Sequence, residues 1–337
     1  MALHQPTGRW WVGLTLTLVT VLLWATQPVA LKVAMAQLPP LTLVWARFAG
    51  AGIALGGWLA WRGELRAYRH LPGLSWLLLA LAILSLLGNF AFYMVGLKLT
   101  TPSNAQFLFQ ASHPMVALGA MVVFKERFNR WQWLGMAAIG GGLVLFFLDT
   151  WAGSLRTGGH AYLLGSGLIL LSALCWPGFA LAQKQLLGKL SSTQIVGFVY
   201  ASLTLLFLPF GRPAALLAMD GAHWAAVGYC MMTTLVSYLA FAEAFEHWDA
   251  SRVAVVCCAT PILTVLAAAL THHLAPALLP ADRMTLASWA GGALIVSGSA
   301  LSSLMRSRGP GVTSGDRPPP WPPGTGPAAC RRSPGPA

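Results

Sequence analysis

The two halves of this chain share landmark residues at a nearly constant spacing, and this constrains the fold more than any other feature. Shifts of 152, 147 and 156 residues bring positions of the first half onto identical residues of the second half. The matched pairs are Gly13 and Gly165, Trp24 and Trp176, Lys32 and Lys184, Pro114 and Pro261, Trp133 and Trp289, Gly135 and Gly291, and Gly142 and Gly298. The pattern predicts an internal duplication.

Long apolar runs lie between these landmarks. Because 56% of the 337 residues are hydrophobic and only 9% are charged, the chain lacks the polar groups to cover a water-facing surface. A bilayer core of about 30 Å is crossed by about 20 apolar residues of helix. The sequence therefore predicts an all-α polytopic membrane protein with ten transmembrane helices. The predicted spans are residues 11–33, 41–60, 74–97, 103–124, 131–149, 161–183, 194–210, 223–245, 252–271 and 285–305.

The ten spans divide equally between two copies, residues 11–149 and 161–305. An odd number of spans per copy predicts that the second copy enters the bilayer upside down relative to the first, as two inverted five-helix repeats. The short N-terminus, residues 1–10, precedes the first repeat. Residues 306–337 are rich in Pro, Gly and Arg and predict a disordered tail.

The basic residues predict the orientation. With a cytoplasmic N-terminus, fifteen of the 21 Lys and Arg residues lie on the inner side, as the positive-inside rule requires. We therefore expect a protein of the cell membrane, plasma or inner, with both termini in the cytoplasm. The net charge of +12 is spread over short loops and gives no basic face for nucleic acid.

Several charged residues fall within the predicted spans, where an unpaired charge costs roughly 2.5–3.5 kcal/mol. Lys32 and Lys184 are either gate cations or snorkelling side chains at opposite interfaces. Arg47 is interpreted as a structural cation, against the alternative of a substrate ligand. Glu243 is either a proton carrier, which makes protons a candidate coupling ion, or a carboxylate at the interface near Arg252.

Proline, polar and aromatic residues predict a central cavity. Pro114 and Pro261 each remove an amide donor and predict matched hinges. Gln110 and His113 put polar groups into the fourth span, as ligands or as helix-packing partners. Four aromatic residues either contact an amphiphilic solute or an amine in this cavity or simply pack between helices. They are Trp24, Tyr93, Trp176 and Tyr238.

Short motifs throughout residues 10–305 resemble the EamA repeat of the drug/metabolite transporter superfamily. In the first copy they are Trp24, Arg47, Asn89 to Tyr93, Gly96-Leu97-Lys98, Ser103-Asn104-Ala105, Pro114, Lys125-Glu126-Arg127, and Gly135 to Gly142. In the second copy they are Trp176, Ser251, Pro261, Gly291 and Gly298. The resemblance implies a ten-helix inverted-repeat fold that exports small metabolites through a cavity lined by spans 1, 3, 4, 6, 8 and 9. It also implies that Asn89 lies at the cavity and that Glu126 and the four glycines are structural.

These features together favour a secondary transporter of small metabolites, such as an amino acid or an amphiphilic compound, working by alternating access in the direction of efflux. The alternatives are an intramembrane enzyme and a non-transporting scaffold. No zinc-protease, serine-hydrolase or Walker motif is found in the sequence, and we expect no enzyme activity, metal or cofactor. The expected partners are the solute and the lipid bilayer, and a homodimer is left open.

Overall fold

Every regular element in the described part of the chain is a helix, which confirms the all-α prediction. The computed structural model describes residues 9–124, 128–157, 159–248, 253, 256–282 and 284–304. The α-helices are α1 (Trp10–Ala34), α2 (Pro40–Trp61), α3 (Gly73–Leu99), α4 (Pro102–Phe109), α5 (Ser112–Phe124), α6 (Arg130–Thr157), α7 (His160–Leu186), α8 (Ser192–Phe207), α9 (Pro213–Leu217), α10 (Gly221–His247), α11 (Thr260–Leu274) and α12 (Leu286–Leu304). Short 3-10 helices occupy Glu64–His70 and Leu208–Phe210.

Eight helical segments in the described ranges are long and apolar enough to cross a membrane, where the sequence predicted ten spans. The ninth and tenth predicted spans correspond to two shorter apolar helices, Thr260–Leu274 and Leu286–Ser302. α11 begins later than predicted because the chain makes a turn at Cys258 and Ala259 and Pro261 lies in the first helical turn. Residues 249–252 and 254–255, also within the ninth predicted span, lie outside the described residues.

The fourth predicted span is interrupted in the structure. A turn at Gln110 and Ala111 separates α4 from α5, although the two together still form one apolar segment, Pro102–Val123. Pro114 is the third residue of α5, so the proline stands just after the break and not at the centre of a bent helix. A proline without an N–H is well tolerated in a first helical turn, where that donor has no partner in any case.

The closest helix pairs join the first half of the chain to the second. α1 packs on α10, α2 on α8, α3 on α7 and α6 on α12. The largest apolar core lies around Phe48 of α2, whose ring centroid is 4.7 Å from that of Phe90 and 5.1 Å from that of Tyr200. The core is therefore shared between the halves.

The glycines predicted to be structural lie where α6 crosses α12. A Cβ atom added to Gly135 would lie 2.6 Å from the carbonyl oxygen of Gly298, and one added to Gly142 would lie 2.6 Å from that of Gly291. Only glycine permits backbones this close. Glu126, also predicted to be structural, lies outside the described residues.

Candidate functional site

A cavity of about 170 Å³ lies between the two halves of the chain. Its walls come from α1, α2, α3, α4, α5, α7 and α10, and from the chain at the start of α11. The six spans that the family resemblance implied all contribute, and α2 is an addition to them. The seven residues predicted for the cavity all line it: Trp24, Asn89, Tyr93, Gln110, His113, Trp176 and Tyr238. That a solute binds them stays a prediction.

The break between α4 and α5 meets a second break at this cavity, the turn at Cys258 and Ala259 that separates the helical residues 256 and 257 from α11. The local chemistry of the two interrupted helices matches. Pro114 has no N–H for the carbonyl of Gln110, which instead contacts the backbone N–H of His113 at 3.1 Å and its ring Nδ1 at 3.3 Å. Pro261 likewise leaves the carbonyl of Cys257 to the hydroxyl of Thr260, which donates to it at 2.6 Å. In both places a side chain three residues on satisfies the released carbonyl at the cavity wall.

Aromatic side chains form two groups at the cavity. The indole of Trp24 donates to Ser237 Oγ at 3.0 Å and lies 5.9 Å, centroid to centroid, from the ring of Tyr238. In the second group, the ring of Phe109 lies 5.6 Å from that of Tyr93 and 6.0 Å from that of Trp176, centroid to centroid. The matched tryptophans thus stand on α1 and α7, each next to a further aromatic ring.

Asn89 holds helices together at the edge of the cavity. Its amide nitrogen donates to the carbonyl oxygen of Ser172 at 2.9 Å and to the Ser172 hydroxyl at 3.0 Å. Both of its amide protons are therefore committed to α7. Its amide donors, like the indole N–H of Trp24, are thus already used by the protein.

Arg47 lines the cavity, which the sequence analysis did not predict. The side chain is 2% exposed, and both Nε and Nη2 donate to the hydroxyl of Thr234, at 3.0 Å and 2.9 Å. The guanidinium also lies over the ring of Phe90, 5.8 Å from its centroid. The contact with Thr234 fits the predicted structural role. An ionisable residue inside a membrane span is a candidate for a functional site, and this rule would have made Arg47 a candidate for the cavity as well.

The predicted gating and coupling residues lie outside the described cavity wall. Lys32 Nζ donates to the carbonyls of Leu97 and Lys98 at 2.8 Å and 2.7 Å, and so caps the C-terminus of α3. Lys184 is exposed near the C-terminal end of α7. The Glu243 side chain is 60% exposed and pairs with His247 at 3.5 Å. Their predicted roles in gating and proton coupling stay predictions.

An apolar helical bundle that encloses a polar and aromatic cavity defines a class, the polytopic membrane proteins that handle small solutes. Within that class, the family model of the EamA-like transporter family matches residues 11–148 and 163–304. The chain therefore belongs to the EamA-like transporter family, a family of membrane transporters, and the resemblance found in the sequence is confirmed.

Relatives from bacteria carry transporter names. An uncharacterized transporter of Haemophilus influenzae is 30% identical over 87% of this chain and 95% of its own length. The uncharacterized inner membrane transporter YhbE of Escherichia coli is 30% identical over 87% of this chain and 91% of its own length. A probable amino-acid metabolite efflux pump of Salmonella typhimurium is 31% identical over 67% of this chain and 72% of its own length.

One known crystal structure has a similar fold. It matches with a TM-score of 0.58 at 20% sequence identity, over 87% of this chain and 97% of that chain. At this identity the likeness concerns the fold alone.

Proposed function

We propose that this protein is a secondary transporter that carries a small organic solute across the cell membrane by alternating access. The observation that carries the proposal is the pair of interrupted helices at the cavity. Gln110 and Cys257, which the 147-residue shift relates, both have carbonyls released by a proline and satisfied by a neighbouring side chain. Interrupted helices of this kind line the solute sites of many secondary transporters.

We propose that the helices form two inverted repeats, residues 11–149 and 161–305, with the shorter α11 and α12 completing the second. The helix pairs support this arrangement. If α1 corresponds to α7 and α3 to α10, the pair of α1 with α10 is the symmetry counterpart of α7 with α3. The contact of Gly135 with Gly298 is similarly the counterpart of Gly142 with Gly291, since the 156-residue shift relates these positions. A two-fold axis produces such exchanged contacts.

We propose the plasma or inner membrane as the location and efflux as the direction, with both termini in the cytoplasm. The distribution of Lys and Arg supports the orientation. The names of the Escherichia coli and Salmonella relatives support the membrane and the direction. An untargeted comparison of metabolites in the medium of cells with and without the protein will identify the solute.

Site-directed labelling tests alternating access. Tyr93→Cys and Tyr238→Cys are made separately in a chain whose native cysteines are replaced by serine, and a membrane-impermeant thiol reagent is applied from each side. If the two halves rock, the cavity opens to one side of the membrane at a time. Conditions that increase labelling of the introduced cysteines from one side should therefore decrease it from the other side. Arg66→Cys, in the 3-10 helix Glu64–His70, is the control and should react from one side only.

The labelling pattern separates the function classes. Simultaneous labelling of both cavity positions from both sides would indicate an open pore, and labelling that never changes would indicate a scaffold. An intramembrane enzyme would show substrate turnover in detergent without a gradient. Any of these three results would contradict the transporter proposal.

A further inference from the structure

The cavity wall carries a positive charge that has no negative partner among the described residues. Arg47 has five N–H groups, and Thr234 accepts from two of its nitrogen atoms. No carboxylate of the described residues lies within 4 Å of the guanidinium, and the remaining N–H groups have no hydrogen-bond partner in that part of the chain. Buried charges are ordinarily paired because desolvation makes an unpaired one costly. The guanidinium is therefore ready to receive an anion.

A second donor on the same wall also has no partner in the described part of the chain. Gln110 is 5% exposed, and its amide Nε2 is covered from solvent without a hydrogen bond to any described residue. Such buried, unsatisfied donors are uncommon in folded proteins and indicate a missing acceptor. An arginine and an amide on one cavity wall both call for oxygen acceptors.

The rest of the lining decides the sign of the charge that fits. Among the described lining residues there is no Asp or Glu, and Arg47 is the one side chain with a permanent charge. A cavity for an amine would offer an acidic group, because an arginine in the wall repels a cation. The aromatic rings of Trp24, Trp176 and Tyr238 supply the apolar surface. The lining thus favours an anionic head on an apolar body.

We propose that the cavity binds a small monocarboxylate with an aromatic or branched apolar body, with Arg47 as the ligand of the carboxylate and Gln110 as a second donor. The planar guanidinium matches the two oxygens of a carboxylate. A cavity of about 150 Å³ is known to hold a benzene ring, so the 170 Å³ found here suits a compact aromatic acid. This assignment rests on the proposed transport function and names the chemical class of its solute.

The test compares three probes that share a phenyl ring and a three-carbon chain: 3-phenylpropionate, its neutral amide and 3-phenylpropylamine. Binding to the purified full-length protein in lipid nanodiscs is measured by calorimetry. We expect the acid to bind at least tenfold more tightly than the amide and the amine. Arg47→Gln should remove this preference, and Arg47→Lys should restore part of it. Arg62→Gln is the matched control, because Arg62 is exposed and pairs with Glu64.

A second variant guards against misfolding of the arginine mutants. Gln110→Glu keeps the size of the side chain but replaces a donor with a negative charge. We expect it to weaken acid binding at least tenfold and to strengthen amine binding, with a single symmetric peak in gel filtration. Undetectable binding of the acid, equal affinity for acid and amine, or unchanged acid binding in both Arg47→Gln and Gln110→Glu would overturn the proposal.

A flux assay separates this inference from the proposed function. The same three probes are loaded into proteoliposomes that contain the protein. Flux of all three at one rate would leave transport standing and overturn the carboxylate assignment. Arg47-dependent binding of the acid without any flux would overturn transport and leave the anion site.

Discussion

Lys32 illustrates at the residue scale how one side chain can serve a helix end. Its ammonium group donates hydrogen bonds to the carbonyl oxygens of Leu97 and Lys98, which have no partner within α3. A cation there also interacts favourably with the negative end of the helix dipole. The sequence alone predicted a cation near the end of the first span. The helix that it would cap depends on the packing of α1 against α3, which no local pattern specifies.

Asp220 gives a prediction about pH. The backbone N–H of His223 donates to the Asp220 carboxylate at 3.0 Å. This hydrogen bond, together with those from the His223 ring and the Gln37 amide, lowers the pKa of Asp220 to about 2. The unfolded pKa is about 3.9, so this stabilisation is present above about pH 4 and lost as the pH falls toward 2. In melting curves, the melting temperature of wild type should exceed that of Asp220→Asn by a clear margin above about pH 4. The margin should shrink below about pH 4, and one independent of pH would contradict this assignment.

Glu243 gives a prediction about coupling. A glutamine cannot bind and release a proton, so Glu243→Gln should abolish flux driven by a pH gradient and leave solute exchange intact. Both rates are measured in proteoliposomes. Glu64→Gln, which removes a carboxylate paired with Arg62 outside the spans, should leave both unchanged. Unchanged driven flux in Glu243→Gln would remove Glu243 as the proton site.

At the scale of helices, the break between α4 and α5 predicts a specific effect of restoring an amide. Pro114→Ala supplies an N–H that can donate to the Gln110 carbonyl, which lets the two helices join. Transport should fall several-fold while the melting temperature stays equal or rises. Pro261→Ala should behave in the same way.

The control for the proline variants is Pro213→Ala, at the start of α9, where no helical hydrogen bond is missing. It should affect neither property. Normal flux in both Pro114→Ala and Pro261→Ala would show that the breaks are not hinges.

The crossing of α6 and α12 predicts an effect on stability. In Gly135→Ala the new Cβ atom meets the Gly298 carbonyl oxygen at 2.6 Å and the Ser302 amide nitrogen at 2.8 Å, so backbone must move. Overpacking of this kind costs roughly 1–3 kcal/mol, which thermal unfolding in detergent will detect. Gly140→Ala is the control on the same helix, since no heavy atom lies within 4 Å of its Cβ position. Equal melting temperatures for the two variants would contradict the close crossing.

The helical elements could largely be predicted from the sequence, because apolar length and composition are local properties. The two prolines predicted that the helices around them would be distorted. They did not predict that each helix would break a few residues before its proline. The rotation of each helix is set by its neighbours. For that reason the sequence did not place Arg47 at the cavity, and it did not predict that Asn89 would be bonded to Ser172 on a helix of the other half.

At the scale of the whole molecule, the inverted arrangement predicts that Lys32 and Lys184 end their helices on opposite faces of the membrane. Reporter fusions after residues 36 and 188, with an enzyme active only outside the cytoplasm and a fluorescent protein active only inside, should give opposite signals. Fusions after residues 66 and 189 should agree, because the predicted topology places both loops inside. Matching signals for Lys32 and Lys184 would refute the two-fold arrangement.

The seven predicted cavity residues show what the symmetry of the whole chain adds to predictions from local sequence patterns. The sequence indicates them by polarity, aromatic character, repeat position and family resemblance, and they come from five helices and one turn that the structure brings to one cavity. Spacing along one helix could not have assembled them. The duplication identified two of them, because Trp24 and Trp176 occupy matched positions in the two halves. Residues without a counterpart in the other half, such as Arg47, could be placed at the cavity only from the structure.

The pairing of helices across the halves has a consequence for biosynthesis. The main neighbour of α1 is α10 and that of α6 is α12, so these early helices emerge from the ribosome long before their most extensive contacts exist. At a synthesis rate of about 5–20 residues per second, α1 waits roughly 10–40 s in the bilayer until α10 is complete, with its packing surface turned to lipid. Truncated chains that stop after α6 should therefore be recognised by membrane proteases as incomplete, however well each helix is inserted.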